Sequence, residues 1–217
     1  MCFKEERNHV IGLSFFRPVG MVTLLLMALL WTSMLQAQTP VAANGQLSVS
    51  GTNLVNESGT PIQLRGMSTH GLQWYGSCIN YDAINTMVSD WGVDVLRLAM
   101  YIDEDESGYV YDPGYYNSFI NQLVDLTEQF GIYCIIDWHV HNPGDPMASI
   151  DDARNFWEYM SSTHAGKEHV LYEICNEPNG VDWNRVREYA NEIIPIIRAN
   201  DPDQVILVGT PTYSQDV

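Results

Sequence analysis

Several apolar runs in this chain end in side chains that can do acid–base work. The run from Val170 to Cys175 is followed by Asn176, Glu177 and Pro178. Proline has no N–H for a sheet ladder, so Pro178 is expected to stop a strand just after Glu177 and turn the chain outward. That leaves a carboxyl group at a strand end. Partial shielding there by neighbouring walls would favour the protonated form, which suits Glu177 to general acid work. Arg97 lies inside "VDVLRLAM", where alternation places Val93, Val95, Arg97 and Ala99 on one face. A cation in so apolar a run needs an anionic partner. "DWHVH" brings His139 and His141 to another strand end, while "GMSTHGLQWYG" and "GTPTYSQ" do the same for His70, Trp74, Tyr75 and Tyr213. Glu173 and Asp137 also interrupt apolar runs and read as structural carboxylates.

Such groups need rigid elements behind them. From Ile62 onward, strand-like and helix-like segments alternate. The strand candidates "IQLRGMS", "VDVLRLAM", "IYCIIDWH", "VLYEICN" and "VILVGT" start roughly 30 to 40 residues apart, the pitch of a βα unit, and their Val/Ile/Leu content fits strands buried on both faces. Asp112 and Pro113 supply a helix cap and first-turn proline. The stripe Phe119, Ile120, Leu123, Val124 and Leu126 runs on to a stop at Gly131. A later stripe of Val186, Tyr189, Ala190, Ile193, Ile194 and Ile197 contains Pro195, where a kink is expected. No GxGxxG or GxxxxGK[ST] follows any of these strands. A (β/α)8 TIM barrel is therefore favoured over a dinucleotide fold, and barrels carry their reactive residues at the C-terminal ends of strands. A closed barrel typically needs about 250 residues. The expected fold is α/β: an incomplete (β/α)8 barrel of about five βα units, with a hairpin in "LSVSGTNLVNESGT" before it.

The chain has 217 residues, 46% apolar and 17% charged, enough for one globular domain with a substantial core. A net charge of -17 leaves no basis for gripping nucleic acid or anionic lipid, so a neutral partner is expected. Lys4, Arg7 and Arg17 precede the apolar run from Met21 to Trp31 and then "TSMLQAQT", the order of a signal peptide ending at Ala37. The alternative is a signal anchor from Val19 to Leu35. The expectation is a signal peptide over 1–37, a linker over 38–45, and barrel sequence over 46–217. The product would be secreted, without stable membrane insertion, and a monomer. Cys78, Cys134 and Cys175 then remain, an odd count in apolar surroundings that reads as buried free thiols with at most one bridge. The acidic run Asp103 to Ser107 reads as a solvated loop.

"RGMSTHGLQWYG", "IIDWH", "YEICNEPNG" and "NEIIPIIRANDP" followed by "VILVGT" together resemble the secreted bacterial endoglucanases of glycoside hydrolase family 5, the old cellulase family A, from Gln46 onward. The resemblance implies an endo-β-1,4-glucanase that hydrolyses cellulose or a related β-glucan by a retaining double displacement, without cofactor or metal. By motif it implies Glu177 as acid/base and Asn176 as the amide on the sugar 2-hydroxyl. It implies Arg97 as the arginine that orients the nucleophile, His139 and His70 as histidines of the central subsites, and Trp74 and Tyr75 as sugar-facing aromatics. Retaining chemistry needs two carboxyl groups about 5 to 5.5 Å apart. The family's nucleophile is a glutamate on a seventh strand, for which this sequence has no counterpart, so the chain is expected to be the N-terminal part of the enzyme and inactive alone. Tyr101, Trp138 and Tyr213 have faces fit for stacking on a pyranose, or for packing. Trp91, Trp157 and Trp183 read as helix packing. Two alternatives stay open: a non-catalytic glucan-binding truncated barrel, and a metal-dependent barrel hydrolase using the His139/His141 pair.

Overall fold

The computed structural model describes residues 38–216. The expected signal segment, 1–37, lies outside the described residues. The segment expected as a linker is instead a docked helix, α1 (Pro40–Asn44), because Thr39 and Pro40 supply the cap and a pre-set first turn. The Val41 N–H donates to the Gly131 carbonyl at 3.0 Å, tying α1 to the body. The expected hairpin follows, with β1 (Ser48–Ser50) antiparallel to β2 (Asn53–Val55). Its two-residue turn uses Gly51 at φ +62°, which glycine adopts without steric cost.

The main body then alternates in chain order: β3 (Gly66–Ser68), α2 (Leu72–Tyr75), α3 (Tyr81–Ser89), β4 (Val95–Tyr101), α4 (Pro113–Phe130), β5 (Tyr133–His139), α5 (Ile150–Thr163), β6 (Val170–Glu173), α6 (Trp183–Asn200) and β7 (Ile206–Leu207). The five strands β3 to β7 pair in sequence order, all parallel, as successive βα units require. Alternation sorts their side chains into two layers. Leu96, Leu98, Met100, Ile136, Trp138 and Tyr172 pack outward against helix stripes that include Ile120, Leu123, Val124, Phe156, Trp157, Ile193 and Ile197. Burying each such side chain contributes about 1.5–3 kcal/mol. On the inner face, Val95, Tyr133, Leu171 and Val205 form a floor closed by Leu47 from beside the hairpin.

The structure departs from the expectations for Cys78, Trp91 and Trp183. Of the two readings open for Trp138, packing holds: it is wholly buried against Tyr109 and Phe156, since its register on β5 points it at the helices. Cys78 is exposed at the end of a short 3-10 helix (Gly76–Cys78), while Cys134 and Cys175 are buried as expected, and all three are free. Trp91 and Trp183 are exposed, because Trp91 lies in the turn that follows α3 and Trp183 is the first residue of α6, so neither is on a buried helix stripe. Trp157 does pack in the core. Helix α6 continues through Pro195, and the Asn191 carbonyl that loses its helical donor there lies on the solvent side.

Candidate active site

Parallel register places the inner-face polar residues side by side. Ala99 pairs with Asp137 and Asp137 with Glu173, while Arg97 lies one inward step below Ala99. Arg97 reaches across the sheet. Its Nε donates to Glu173 Oε2 at 2.7 Å, and its Nη2 donates to Glu173 Oε1 at 2.9 Å and to Asn176 Oδ1 at 2.7 Å. Its Nη1 donates to the Ser68 hydroxyl at 3.3 Å. The same Nη2 lies 2.9 Å from Asp137 Oδ2. The anionic partner expected for Arg97 is thus supplied by Glu173 and Asp137, both within the described sheet.

A second set of bonds runs from the same carboxylate. Asp137 Oδ2 lies 2.6 Å from His139 Nδ1, and His139 Nε2 lies 3.1 Å from Asn176 Nδ2. Asn176 Nδ2 also donates to the Val140 carbonyl at 3.3 Å. Burial raises the pKa of Asp137, against the pull of Arg97. Burial and the Arg97 charge lower that of His139, so the imidazole is neutral. Burial raises Glu173 as well, opposed by its bonds from Arg97.

Glu177 stands next to this network at the end of the β6 segment, where Cys175 still accepts from the Gly209 N–H at 3.0 Å. The shielding expected for it is absent among the described residues: Glu177 is exposed, because no wall of residues 38–216 covers that side. Its charge nonetheless acts on Arg97, Tyr101, Asp137 and His139. The loop after β7 holds its backbone from both sides. Ser214 Oγ donates to the Asn176 carbonyl at 3.0 Å, and the Tyr213 N–H donates to the Pro178 carbonyl at 3.2 Å. Tyr213 is exposed, and its hydroxyl accepts from Asn179 at 2.8 Å. Gly209 allows this close approach, for a Cβ there would sit 2.3 Å from the Asn176 carbonyl oxygen.

Aromatic rings continue from the network along the rim. Tyr101 stacks on His139 with centroids 4.0 Å apart, and Trp74 meets Tyr101 edge-on at 4.9 Å. His70 contacts both Trp74 and Tyr75 edge-on at 5.1 Å, and accepts the Gly71 N–H at Nδ1. Tyr75 is 56% exposed and presents a free face. His139 and His141 do not converge. The ring of His141 turns to Glu104, 2.5 Å away, in the acidic loop.

These strand-end groups surround an open rim on one sheet, and they coincide with a known sequence pattern. The model of the cellulase family, glycosyl hydrolase family 5, matches residues 55–217. The chain belongs to glycoside hydrolase family 5. Endoglucanase E-5 of Thermobifida fusca is 47% identical over 176 residues, covering 81% of this chain and 37% of that protein. Endoglucanase CelA of Streptomyces lividans is 49% identical over 176 residues, covering 81% of this chain and 38% of that protein. The chain therefore spans less than two-fifths of the length of these curated relatives. Among solved structures, the catalytic domain of Thermobifida fusca endoglucanase Cel5A superposes with a TM-score of 0.79 at 47% identity, over 82% of this chain and 57% of that one. A variant of that domain was solved in complex with cellotetraose. The parallel sheet β3 to β7 is thus part of the (β/α)8 barrel of family 5 glycoside hydrolases.

Two contributors to this family 5 site were undervalued in the sequence. Asp137 stands two residues before His139, and so on the same strand face, a spacing that already pairs them. Tyr101 stands opposite His139 only because β4 and β5 pair without offset, which the sequence does not state. Ser214 gave no signal at all.

Proposed function

We propose that this chain is the N-terminal part of a secreted retaining endo-β-1,4-glucanase. Glu177 would be its acid/base, and Asn176, Arg97 and His139 would form the floor of its catalytic subsite. The observation that carries this reading is the carboxamide of Asn176, gripped by Arg97 and His139, directly beside an exposed Glu177 at a strand end. An amide held in this way offers a fixed polar edge to a sugar hydroxyl, and the neighbouring carboxyl can protonate a leaving oxygen. His70, Trp74 and Tyr75 continue the rim as a strip of rings on which further glucose units would stack, and Tyr213 flanks the opposite side. A β-glucan is uncharged, which fits a chain of net charge -17. The attacking carboxylate is expected on a seventh barrel strand, two beyond the five described.

Replacing Glu177 by Gln in the full-length protein tests the assignment. Hydrolysis of carboxymethylcellulose should fall by about 10²- to 10⁴-fold, while an aryl cellobioside with an acidic leaving group, which needs little protonation, should lose far less in the glycosylation step. Equal losses on both substrates would remove Glu177 from the acid role. Binding of the unaltered full-length protein to cellulose without cleavage would favour a glucan-binding protein instead.

A further inference from the structure

Beyond its contact with Arg97, Asp137 is wholly buried and lies at the head of a directional chain of hydrogen bonds. The direction can be read from atom types alone. Arg97 has only donors, so the Asn176 atom facing it at 2.7 Å is the carbonyl oxygen Oδ1. The other end of that amide, Nδ2, also has only donors, so the His139 nitrogen 3.1 Å away must offer a lone pair. Nε2 of His139 is therefore bare, and the single proton of the neutral ring sits on Nδ1, where Asp137 Oδ2 accepts it at 2.6 Å.

We propose that Asp137 is a positioning residue, which fixes the Nδ1–H tautomer of His139 and thereby the orientation of the Asn176 carboxamide beside Glu177. The inference rests on the proposed glucanase reading for its catalytic consequence, but not for its structural half. Both hydrogens of Arg97 Nη2 go to Glu173 and Asn176, so the 2.9 Å approach of Arg97 to Asp137 is an electrostatic contact and not a hydrogen bond. His139 then makes the hydrogen bond to Oδ2, and Oδ1 has no partner among the described residues. The assignment holds whether or not Oδ1 carries a proton, because only Oδ2 faces the ring. Without an acceptor at Nδ1, the ring is free to move its proton to Nε2. That hydrogen would point at the Asn176 amino group, and the amide would have to turn over and present its donors to Arg97. Asp137 touches no substrate in this scheme.

The test uses the full-length protein with Asp137→Leu and Asp137→Asn, and reads the imidazole nitrogens of His139 by ¹⁵N NMR, assigned by comparison with His139→Gln. The unaltered protein should show a protonated Nδ1 and a bare Nε2. Asp137→Asn should keep this pattern, because the Arg97 cation selects the amide oxygen for the Oδ2 position. Asp137→Leu should shift the proton to Nε2 and lower kcat on a cello-oligosaccharide by about 10- to 100-fold, the scale for removing an orienting partner, with Asp137→Asn recovering most of it. An Nε2–H tautomer in the unaltered protein overturns the proposal, as does an unmoved Nδ1 proton in Asp137→Leu. If Asp137→Leu does not fold, the unaltered protein and Asp137→Asn still decide the tautomer. A moved proton with unchanged kcat overturns the catalytic half. Absence of glucan hydrolysis by the unaltered protein is instead a failure of the glucanase reading, and the NMR result stands apart from it.

Discussion

Removing the Arg97 guanidinium should expose what the inner face of the sheet costs to maintain. Methionine keeps much of the stem's volume but none of its charge. Among the described residues, Arg97 is the cation in contact with both Asp137 and Glu173, whose side chains are 0% and 16% exposed. Breaking a buried pair by deleting one partner costs about 3–5 kcal/mol. Arg97 itself keeps 20% of its side-chain surface in solvent, so the lower end, about 3 kcal/mol, is expected, or roughly a 10²-fold loss in the folding equilibrium. The loss should depend on pH. Burial already raises both carboxyl groups, and deleting Arg97 removes the main influence that opposes it. A folded pKa above the unfolded value gives stability that is fully present below the unfolded pKa, near 4, and lost as pH rises through the folded pKa. The Arg97→Met deficit should therefore be larger at pH 8 than at pH 5, as read from urea unfolding of the barrel followed by tryptophan fluorescence. Adding Glu173→Gln should recover part of it at pH 8. A deficit below about 1 kcal/mol, or one equal at both pH values, would refute the idea that Arg97 is there to balance buried carboxylates.

Further consequences can be checked separately. Gly209→Ala should destabilise the protein by about 1–3 kcal/mol and depress glucan hydrolysis, since the added Cβ would meet the Asn176 and Cys175 carbonyl oxygens at 2.3 and 2.5 Å; unchanged melting and activity would contradict the close packing behind Glu177. His164 is buried, and burial holds its pKa down to about 4, so the unfolded chain binds the proton first. Its contribution to stability, on the order of 3 kcal/mol, should be present above pH 6.5 and lost as pH falls towards 4. His164→Gln should flatten the stability profile in that window. Tyr75→Ala should raise KM for long glucans several-fold, the scale of one lost stacking contact of about 1 kcal/mol, while leaving the melting temperature within a degree or two.

The strand ends were legible because each is a polar interruption of an apolar run, although β6 ends at Glu173, a few residues before the stop that Pro178 suggested. Arg97, His139 and Asn176 were legible as separate residues, but their contacts were not, since those depend on register across three strands. Arg97 shows the limit well. Its need for an anion followed from burial alone, yet Glu173 and Asp137 emerge as partners only when β4, β5 and β6 are laid side by side. Shielding of Glu177 depends on walls distant in sequence, which local residue types do not report, and among the described residues none covers it. The docked α1 escaped because its apolar contact is a single residue, Val41, too little to register as a pattern.

The hairpin and its preceding residue Leu47 have a consequence for the order of folding. Leu47 completes a floor whose other members are Val95, Tyr133, Leu171 and Val205, and Gln46 donates to Gln204, 158 residues later. The segment synthesised near the start of the barrel thus cannot reach its final environment until its last described strand has formed. Contacts of such long range must close large loops before they are rewarded, which slows folding. The floor therefore acts as a completion check, in which the earliest part of the barrel is among the last to lock. Changes at Leu47 should accelerate unfolding more than they slow folding.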